Sequence, residues 1–157
     1  MIEVKKVTKE DVKLLISLIT ELAIYEKMEK EVVADPKIVS KWIFDEKVAH
    51  ALIAYYNKKP VGFALYFYNF STFLGKAGLY LEDLYVKEEY RRKKVGITLF
   101  KELVKIAKEK DLGRMEWSCL KWNKPSIKFY ESLGAYPMDE WDTYRLTEDK
   151  FSIIINK

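Results

Sequence analysis

Apolar residues recur along the chain with two periods, and these periods predict an alternation of strands and helices. A short β-rich run at residues 2 to 7 ends at a capping-box spacing, and apolar residues then recur every three or four positions from Val12 to about Met28. Asp35 and Pro36 supply the cap and the first turn of a second helix. The chain is therefore predicted to open with one strand and two helices.

Two β-rich runs, residues 48 to 56 and 61 to 70, are separated by the turn sequence Asn-Lys-Lys-Pro and predict a β-hairpin. The next run, GLYLEDLYV at residues 78 to 86, is apolar at both alternating sets of positions, which is typical of a central strand covered on both faces. Only Glu82 and Asp83 interrupt it. Because an unpaired buried charge is costly, these two carboxylates must meet donors or line a cleft.

The second half of the chain predicts a helix, a strand, a helix and a last strand. A helical stripe runs from residue 95 to about 110 and is closed by Gly113, and MEWSCL at 115 to 120 is a predicted strand. An Asn-capped helix covers 123 to 134, and 142 to 147 is the last predicted strand. The order βααββ-β-α-β-α-β describes one α/β domain over the whole chain, a mixed sheet with helices on both faces.

Composition narrows the classes of function. The net charge of +4 is mild and the chain has one cationic cluster, so we expect no nucleic-acid partner. Cys119 and His50 are the only cysteine and the only histidine, which excludes an internal disulfide, a thiolate zinc cluster and a His-rich metal site, and we expect no metal. The N-terminus lacks a signal-peptide core and no run of about eighteen apolar residues occurs, so we expect a cytoplasmic protein without a membrane partner.

Four consecutive cations, residues 91 to 94, directly precede the predicted start of a helix. Unpaired N–H groups at a helix N-terminus bind phosphate, flanking Arg and Lys side chains strengthen that binding, and Gly96 lets an anion approach the backbone closely. The alternative is a solvated basic corner balanced by Glu88 and Glu89. Position alone does not decide between the two.

Three side chains are candidates for acid-base chemistry. Period-two alternation assigns Asp83 to the face of Leu81 and Tyr85, and Glu82 to the opposite face. Carboxylates in clefts often have shifted pKa values and functional roles, whereas a salt bridge at a strand end is the structural alternative. Tyr130 could transfer a proton, although aromatic residues at helical spacing usually pack in a core.

The turn YRRKKVG at residues 90 to 96 resembles the pyrophosphate loop of the GNAT acetyltransferases, whose pattern is Arg/Gln-x-x-Gly-x-Gly/Ala. The resemblance extends to residues 21 to 29, 79 to 86 and 122 to 135, in the order and spacing of the diamine acetyltransferase branch. It implies the GNAT fold, a mixed and mostly antiparallel sheet of about six or seven strands flanked by about four helices. The family's first loop glycine is Lys94 here, a replacement that costs about 1 kcal/mol if the position needs φ > 0.

The same resemblance implies acetyl-CoA as donor, a primary amine as acceptor, and roles for individual residues. By the family pattern, the backbone of residues 84 to 86 runs along the pantetheine of the donor, the loop 91 to 97 holds the pyrophosphate, and Tyr130 stands beside the sulfur. The residues that would bind the donor are Leu84, Tyr85, Val86, Arg91, Arg92, Lys93, Lys94, Val95, Gly96, Ile97, Asn123, Ser126 and Tyr130.

Proton transfer has two candidate residues. A lysine-like amine with a pKa of about 10.4 is almost entirely protonated at neutral pH, so the site must accept a proton as the amine attacks. Glu82 is the candidate base, directly or through water, and Tyr130 is the candidate acid for the departing thiolate. The attack is expected to be direct, in a ternary complex, because no Cys-His pair is present to form a covalent intermediate.

Acids in the segments that resemble the acceptor-site walls favour a small cationic amine. Where polyamine-acetylating members carry an Asp and a Trp, this chain has Ser71 and Phe73, which resembles the thialysine-acetylating relatives. A lysine analogue or a short diamine is therefore as plausible an acceptor as spermidine or spermine. The predicted acceptor-site residues are Tyr25, Glu26, Glu29, Glu82, Asp83, Asp142 and Tyr144.

The resemblance also implies a homodimer, to which the apolar tail at residues 151 to 155 would contribute, because an exposed apolar strand is otherwise a liability. Two further functions stay open on the sequence. One is acetylation of another amine, such as an amino acid, an aminoglycoside or a protein lysine. The other is a non-catalytic acyl-CoA sensor, against which the retention of Glu82 and Tyr130 argues.

Overall fold

Five strands form one sheet whose spatial order follows the order of the sequence. The computed structural model of the protein describes residues 1 to 157. The strands are β1 Ile2–Lys6, β2 His50–Tyr56, β3 Lys59–Ser71, β4 Lys76–Val86 and β5 Met115–Trp117. The first four are antiparallel neighbours and β5 is parallel to β4, so the sheet is mixed and mostly antiparallel, as predicted.

Five α-helices accompany the sheet, and two of them have only five residues. They are α1 Val12–Tyr25, α2 Pro36–Ser40, α3 Val95–Glu109, α4 Lys124–Ser132 and α5 Phe151–Ile155. A π-helical turn, Lys41–Asp45, continues α2. No helix combines the length and the apolar character that crossing a membrane would require.

The chain divides into two units. Met1–Ser118 contains the sheet and the helices α1 to α3, and Cys119–Lys157 contains α4 and α5. All buried apolar residues belong to the first unit, whereas Asn123 is the only buried residue of the second. The large apolar residues that the second unit exposes are Trp122, Leu133, Tyr136, Met138, Trp141, Tyr144, Leu146, Phe151, Ile153, Ile154 and Ile155.

Both faces of the sheet carry core residues, which confirms the predicted two-sided arrangement. On one face, Leu15, Leu18 and Leu22 of α1 are buried in one cluster with Ile53 and Phe63. Side chains alternate along a strand, so the neighbouring residues of β2 and β3 face the other side. They are buried as well, and α3 contacts both strands.

The predicted hairpin of β2 and β3 is confirmed, and its turn consists of Asn57 and Lys58. Both residues have positive φ, 47° and 70°. Two-residue hairpin turns of this hand match the twist of the strands they connect, and Asn tolerates the conformation better than most residues. The backbone of Asn57 also donates to the carbonyl oxygen of Met1 at 2.9 Å.

A β-bulge interrupts β4 at Glu82. Leu65 of β3 pairs with Asp83, whereas the next residue, Tyr66, pairs with Leu81, so Glu82 is the extra residue of the bulged strand. Paired residues share a face, and therefore Asp83 and Leu81 lie on opposite faces of the sheet. The expectation that these two residues share a face is wrong, because strict alternation assumes an uninterrupted strand.

The C-terminal part of the sheet is smaller than predicted. β5 ends at Trp117 rather than near residue 120, residues 142 to 147 form no strand, and residues 151 to 155 form the helix α5. The sheet thus has five strands rather than six or seven, while the α/β class is confirmed. A strand needs a partner for its backbone N–H and C=O groups, and no strand of the sheet pairs with residues 142 to 147.

Candidate active site

The carboxyl-terminal half of β4 has one edge that no strand occupies. β5 pairs with β4 at residues 79 to 81 only, and this pairing stops where the bulge residue Glu82 begins. Along the opposite edge, β3 continues to pair as far as Val86. Unpaired backbone groups at a sheet edge can bind an extended chain molecule. The predicted donor-binding residues 84 to 86 lie along this edge.

Three carboxylates, those of Glu26, Glu82 and Asp83, form an acid cluster beside the bulge. Burial, followed by the charges of Glu82 and Glu26, raises the pKa of Asp83 to about 7. Burial also raises the pKa of Glu26, which lies directly after the last residue of α1. A positive charge near these groups would relieve their repulsion. The acid cluster is therefore suited to bind a cation.

Three other predicted acceptor-site residues, Glu29, Asp142 and Tyr144, are exposed. Glu29 belongs to an exposed 3₁₀ turn, Glu29–Glu31. Asp142 and Tyr144 lie in an irregular segment of the C-terminal unit, where Tyr144 is 93% exposed. The acid cluster thus contains Glu26, Glu82 and Asp83 of the predicted set, and a contribution from Asp142 and Tyr144 stays a prediction.

The four cations of the loop after β4 point in different directions. Arg91 turns inward: its Nε donates to the carbonyl oxygen of Val86 at 2.9 Å, and its guanidinium lies 4.7 Å from the ring centre of Tyr25. Lys93 turns towards β2, with Nζ 5.5 Å from the ring centre of Tyr56. The loop is therefore not a uniform basic patch.

Arg92 and Lys94 are exposed, and both adopt the left-handed backbone conformation, with φ of 64° and 68°. This conformation disfavours residues with a Cβ. The sequence left open whether the position of Lys94, a glycine in the family pattern, needs φ > 0. The structure shows that it does.

The loop leads directly into the N-terminus of α3, whose first turn can hold an anion. The carbonyl oxygen of Lys94 accepts from the backbone N–H of Thr98 at 3.1 Å and from Thr98 Oγ1 at 2.6 Å. The N–H groups of Val95, Gly96 and Ile97 precede this first bond and have no acceptor within the helix. Left-handed residues followed by a helix N-terminus form a concave set of N–H donors, which fits a pyrophosphate.

The C-terminal unit carries three further predicted donor-site residues on or next to α4. Asn123 is buried, and its side-chain oxygen accepts from the backbone N–H of Ser126 at 3.5 Å, so it caps the helix. The ring of Tyr130 lies edge-on to that of Phe129, with 5.5 Å between the ring centres. The pairing of Tyr130 with Glu82 as acid and base stays a prediction.

Glu21 and Lys87 also lie near this site, and neither was predicted from the sequence. The hydroxyl of Tyr85 donates to Glu21 Oε1 at 3.4 Å, and Lys87 Nζ lies 3.3 Å from Glu21 Oε2. Burial, then the charge of Glu21, raises the pKa of the Tyr85 phenol. The sequence contained one signal for Glu21: it lies four residues before Tyr25, so the two side chains share a face of α1.

Comparisons with known proteins bear on the family and the fold of the chain. Residues 16–135 match the model of the acetyltransferase (GNAT) family. The chain is 36% identical over 147 residues to a thialysine N-epsilon-acetyltransferase of Caenorhabditis elegans, covering 92% of this chain and 91% of that protein. It is 43% identical over 93 residues to the L-ornithine N5-acetyltransferase NATA1 of Arabidopsis thaliana, covering 59% of this chain and 41% of that protein.

Among solved structures, an integron cassette protein from the mobile metagenome of V. cholerae has a similar fold. The TM-score is 0.81 at 26% sequence identity, and the match covers 99% of this chain and 98% of that one. Because the family model spans most of the chain and an acetyltransferase aligns with nearly all of it, the protein belongs to the GNAT family of acetyltransferases, enzymes whose donor is acetyl-CoA.

Proposed function

We propose that this protein transfers the acetyl group of acetyl-CoA to a primary amine of a small cationic substrate, such as thialysine, another lysine analogue or a short diamine. The observation that carries the proposal is the acid cluster, in which the neighbouring charges of Glu82 and Glu26 help to raise the pKa of Asp83 to about 7. A dication would neutralise these carboxylates better than a neutral acceptor would.

The relatives support a terminal amine on an amino acid as the acceptor. The names of the two relatives describe acetylation of thialysine at its N-epsilon atom and of ornithine at N5. In both substrates the reacting amine is separated from a second charged group by a flexible chain. Several carboxylates around one amine pocket suit such a molecule, because one can meet the reacting nitrogen while another meets the second ammonium.

For the donor, we infer binding along the free edge of β4 and in the loop that follows it. Backbone groups of residues 84 to 86 can pair with the amides of the pantetheine. The N–H groups at the start of α3, together with Gly96, can hold the pyrophosphate. Arg92 and Lys94, both exposed, add positive charge at the rim of this anion site.

In the proposed reaction, the amine nitrogen attacks the thioester carbonyl carbon directly. A C–N bond forms, the C–S bond breaks, and CoA leaves as a thiolate. Glu82 accepts the proton that the amine loses, directly or through water, and its exposure lets it return that proton to solvent. Tyr130 donates a proton to the thiolate and regains one from solvent, so one ammonium and one thioester give one amide, one thiol and one proton released to solvent.

A homodimer is part of the proposal. The C-terminal unit exposes Trp141 to 74%, Tyr144 to 93% and Ile155 to 80%, and it has no buried apolar residue of its own. Such large exposed apolar surfaces commonly mark interaction sites. Light scattering at micromolar concentration is expected to give twice the mass of the chain, and a monomer there would contradict this part of the proposal.

The main test is a panel of amines assayed for CoA release. We expect thialysine to be acetylated with the highest kcat/KM, followed by ornithine, lysine and short diamines, and the polyamines spermidine and spermine to be poorer substrates. If acetyl-CoA binds but none of these amines releases CoA above the rate of hydrolysis, the proposed class of acceptor is wrong, and either a different amine is the acceptor or the protein is an acyl-CoA sensor.

A further inference from the structure

Arg91 differs from the other cations of the loop because aromatic rings and a backbone carbonyl enclose its side chain. The guanidinium lies 4.7 Å from the ring centre of Tyr25 and 5.8 Å from that of Tyr85. Its Nε donates to the carbonyl oxygen of Val86, the last residue of β4, at 2.9 Å. Arg92 and Lys94 are exposed instead.

We propose that Arg91 is a positioning residue for the acceptor site: it joins the loop after β4 to the last turn of α1 and so fixes the acid cluster, rather than binding the phosphates of the donor. This inference rests on the proposed function, because it assigns an amine to the acid cluster. It reverses the side-chain role that the family pattern suggested for Arg91.

The position of Tyr25 explains why this contact reaches the acceptor site. Tyr25 is the last residue of α1, and the next residue is Glu26, a member of the acid cluster. After Glu26 the chain leaves the helix, and Lys27 takes a left-handed conformation with φ of 61°. The last turn of a helix frays readily, so a cation stacked on Tyr25 restrains the backbone that carries Glu26.

A second contact between β4 and α1 lies beside Arg91 and strengthens the connection. Tyr85 donates to Glu21 at 3.4 Å, and Lys87 pairs with Glu21 at 3.3 Å. Glu21 and Tyr25 are one turn apart on α1, so β4 and the loop after it together contact two successive turns of the helix. Arg91 makes the contact closer to Glu26.

The chemistry of the side chain favours this role. A guanidinium is planar and weakly hydrated, so it can stack on one or two rings while Nε donates in its own plane. To bind a phosphate, Arg91 would have to leave both rings and the carbonyl oxygen of Val86. Because the start of α3 and two exposed cations already favour an anion, the donor site does not require that movement.

The deciding variant is Arg91→Lys, which keeps the positive charge but loses the planar guanidinium and its Nε donor. If Arg91 positions the acceptor site, lysine cannot replace it, and we expect the KM for thialysine to rise about tenfold while the Kd of acetyl-CoA changes less than about twofold. Steady-state kinetics gives the first constant and calorimetric titration with acetyl-CoA gives the second.

Two variants of Tyr25 test whether its ring is the partner of the Arg91 guanidinium. Tyr25→Leu removes the ring and should raise the thialysine KM as Arg91→Lys does, whereas Tyr25→Phe keeps the ring face. The double variant of Arg91→Lys with Tyr25→Leu should be no worse than either single variant, because both remove one interaction. Arg114→Lys is the matched control, since Arg114 also contacts a partner through Nε, at Glu116, outside the site.

Amide hydrogen exchange tests the inference without any catalysis. The N–H groups of Glu26, Lys27 and Met28 donate within the last turn of α1, at 2.9, 3.1 and 2.8 Å. In Arg91→Lys we expect these amides to exchange about fivefold faster than in the wild type, with unchanged exchange in the centre of α1. Unchanged exchange at these three amides would overturn the inference.

One kinetic result would contradict the inference. If Arg91→Lys has the wild-type KM for thialysine, while Arg91→Met weakens acetyl-CoA binding in a way that high salt abolishes, the side chain binds phosphate and the inference is wrong. If the wild type acetylates no amine, the proposed function fails separately, and the exchange rates alone decide whether Arg91 holds the end of α1.

Discussion

The loop after β4 and the acid cluster carry opposite charges, and these charges differ in their exposure to solvent. In the loop, Arg92, Lys93 and Lys94 are exposed. In the acid cluster, Asp83 is half-buried and its pKa is raised to about 7. Water and salt screen exposed charges, whereas they screen a half-buried charge much less. We infer that the donor site depends mainly on backbone geometry and the acceptor site mainly on charge.

The largest expected effect comes from removing the proposed base of the acceptor site. Glu82→Gln keeps the size of the side chain, and we expect kcat with saturating thialysine to fall about a hundredfold or more, because general base catalysis commonly contributes that much. Glu88→Gln, an exposed carboxylate outside the acid cluster, serves as control. A kcat for Glu82→Gln close to that of the wild type would show that another group takes the proton.

The next effect concerns the donor site and separates backbone geometry from charge. Gly96→Val places two methyl groups where an anion would approach the start of α3, and we expect the Kd of acetyl-CoA to rise about thirtyfold or more. Arg92→Ala removes a charge but leaves the backbone intact, so it should raise the Kd only about threefold, and less at high salt. Titration calorimetry measures both. The opposite ranking would contradict the comparison above.

Asp83 makes the acceptor site sensitive to pH. Its carboxylate must be ionised to attract an ammonium group, and its pKa is about 7. The KM for thialysine should therefore rise as the pH falls below about 7, and Asp83→Asn should raise the KM about tenfold at higher pH and flatten its pH dependence. A KM profile that keeps its wild-type slope in Asp83→Asn would assign the titration to another group.

The same group links stability to pH, with a definite sign. The pKa of Asp83 is raised in the folded protein, so the ionised form destabilises the fold. This destabilisation is absent below about pH 4, grows between about pH 4 and 7, and is complete above that range. Asp83→Asn should raise the free energy of unfolding by up to about 4 kcal/mol at high pH and leave it nearly unchanged near pH 4. Urea denaturation at both pH values measures this difference in the free energy of unfolding.

The smallest effect lies in the loop and concerns strain. Lys94 has φ of 68°, so Lys94→Gly should raise the free energy of unfolding by about 1 kcal/mol. Acetyl-CoA affinity should change less than about threefold, because one exposed charge is lost while the backbone shape is kept. Lys93→Gly is the control: Lys93 does not have positive φ, so glycine there should destabilise the protein. Equal effects of the two variants would show that strain at Lys94 is negligible.

Much of the fold could be predicted because its signals are local. The start of α3 was predicted correctly, because the cationic turn ends at Val95 and the helical spacing of apolar residues begins there. The C-terminal ends of the helices were predicted less accurately than the start of α3. Gly134, with φ of 90°, ends α4 as expected, whereas α3 ends before Asp111, with φ of 54°, and not at Gly113. Glycine is the usual residue for this conformation, but other residues can also adopt it.

Less of the site could be predicted, because its geometry depends on pairing between distant segments. The carboxylates Glu82 and Asp83 were identified as candidates from their place in an apolar strand. Their faces were not, because the bulge is visible only in the register between β3 and β4. Arg91 was assigned to the loop by the family pattern, while its inward contact with Tyr25 depends on how α1 packs beside β4.

The sequence by itself determined the two-sided mixed sheet, the helix that starts after the cationic turn, and the acidic and basic residues that define two binding regions. These follow from periodicity, capping and composition, which act over a few residues. Only the tertiary structure decided that Glu82 occupies a bulge, that Lys94 is strained and that Arg91 faces α1. Each of these depends on strand register or on packing between segments far apart in the chain, and no local pattern encodes them.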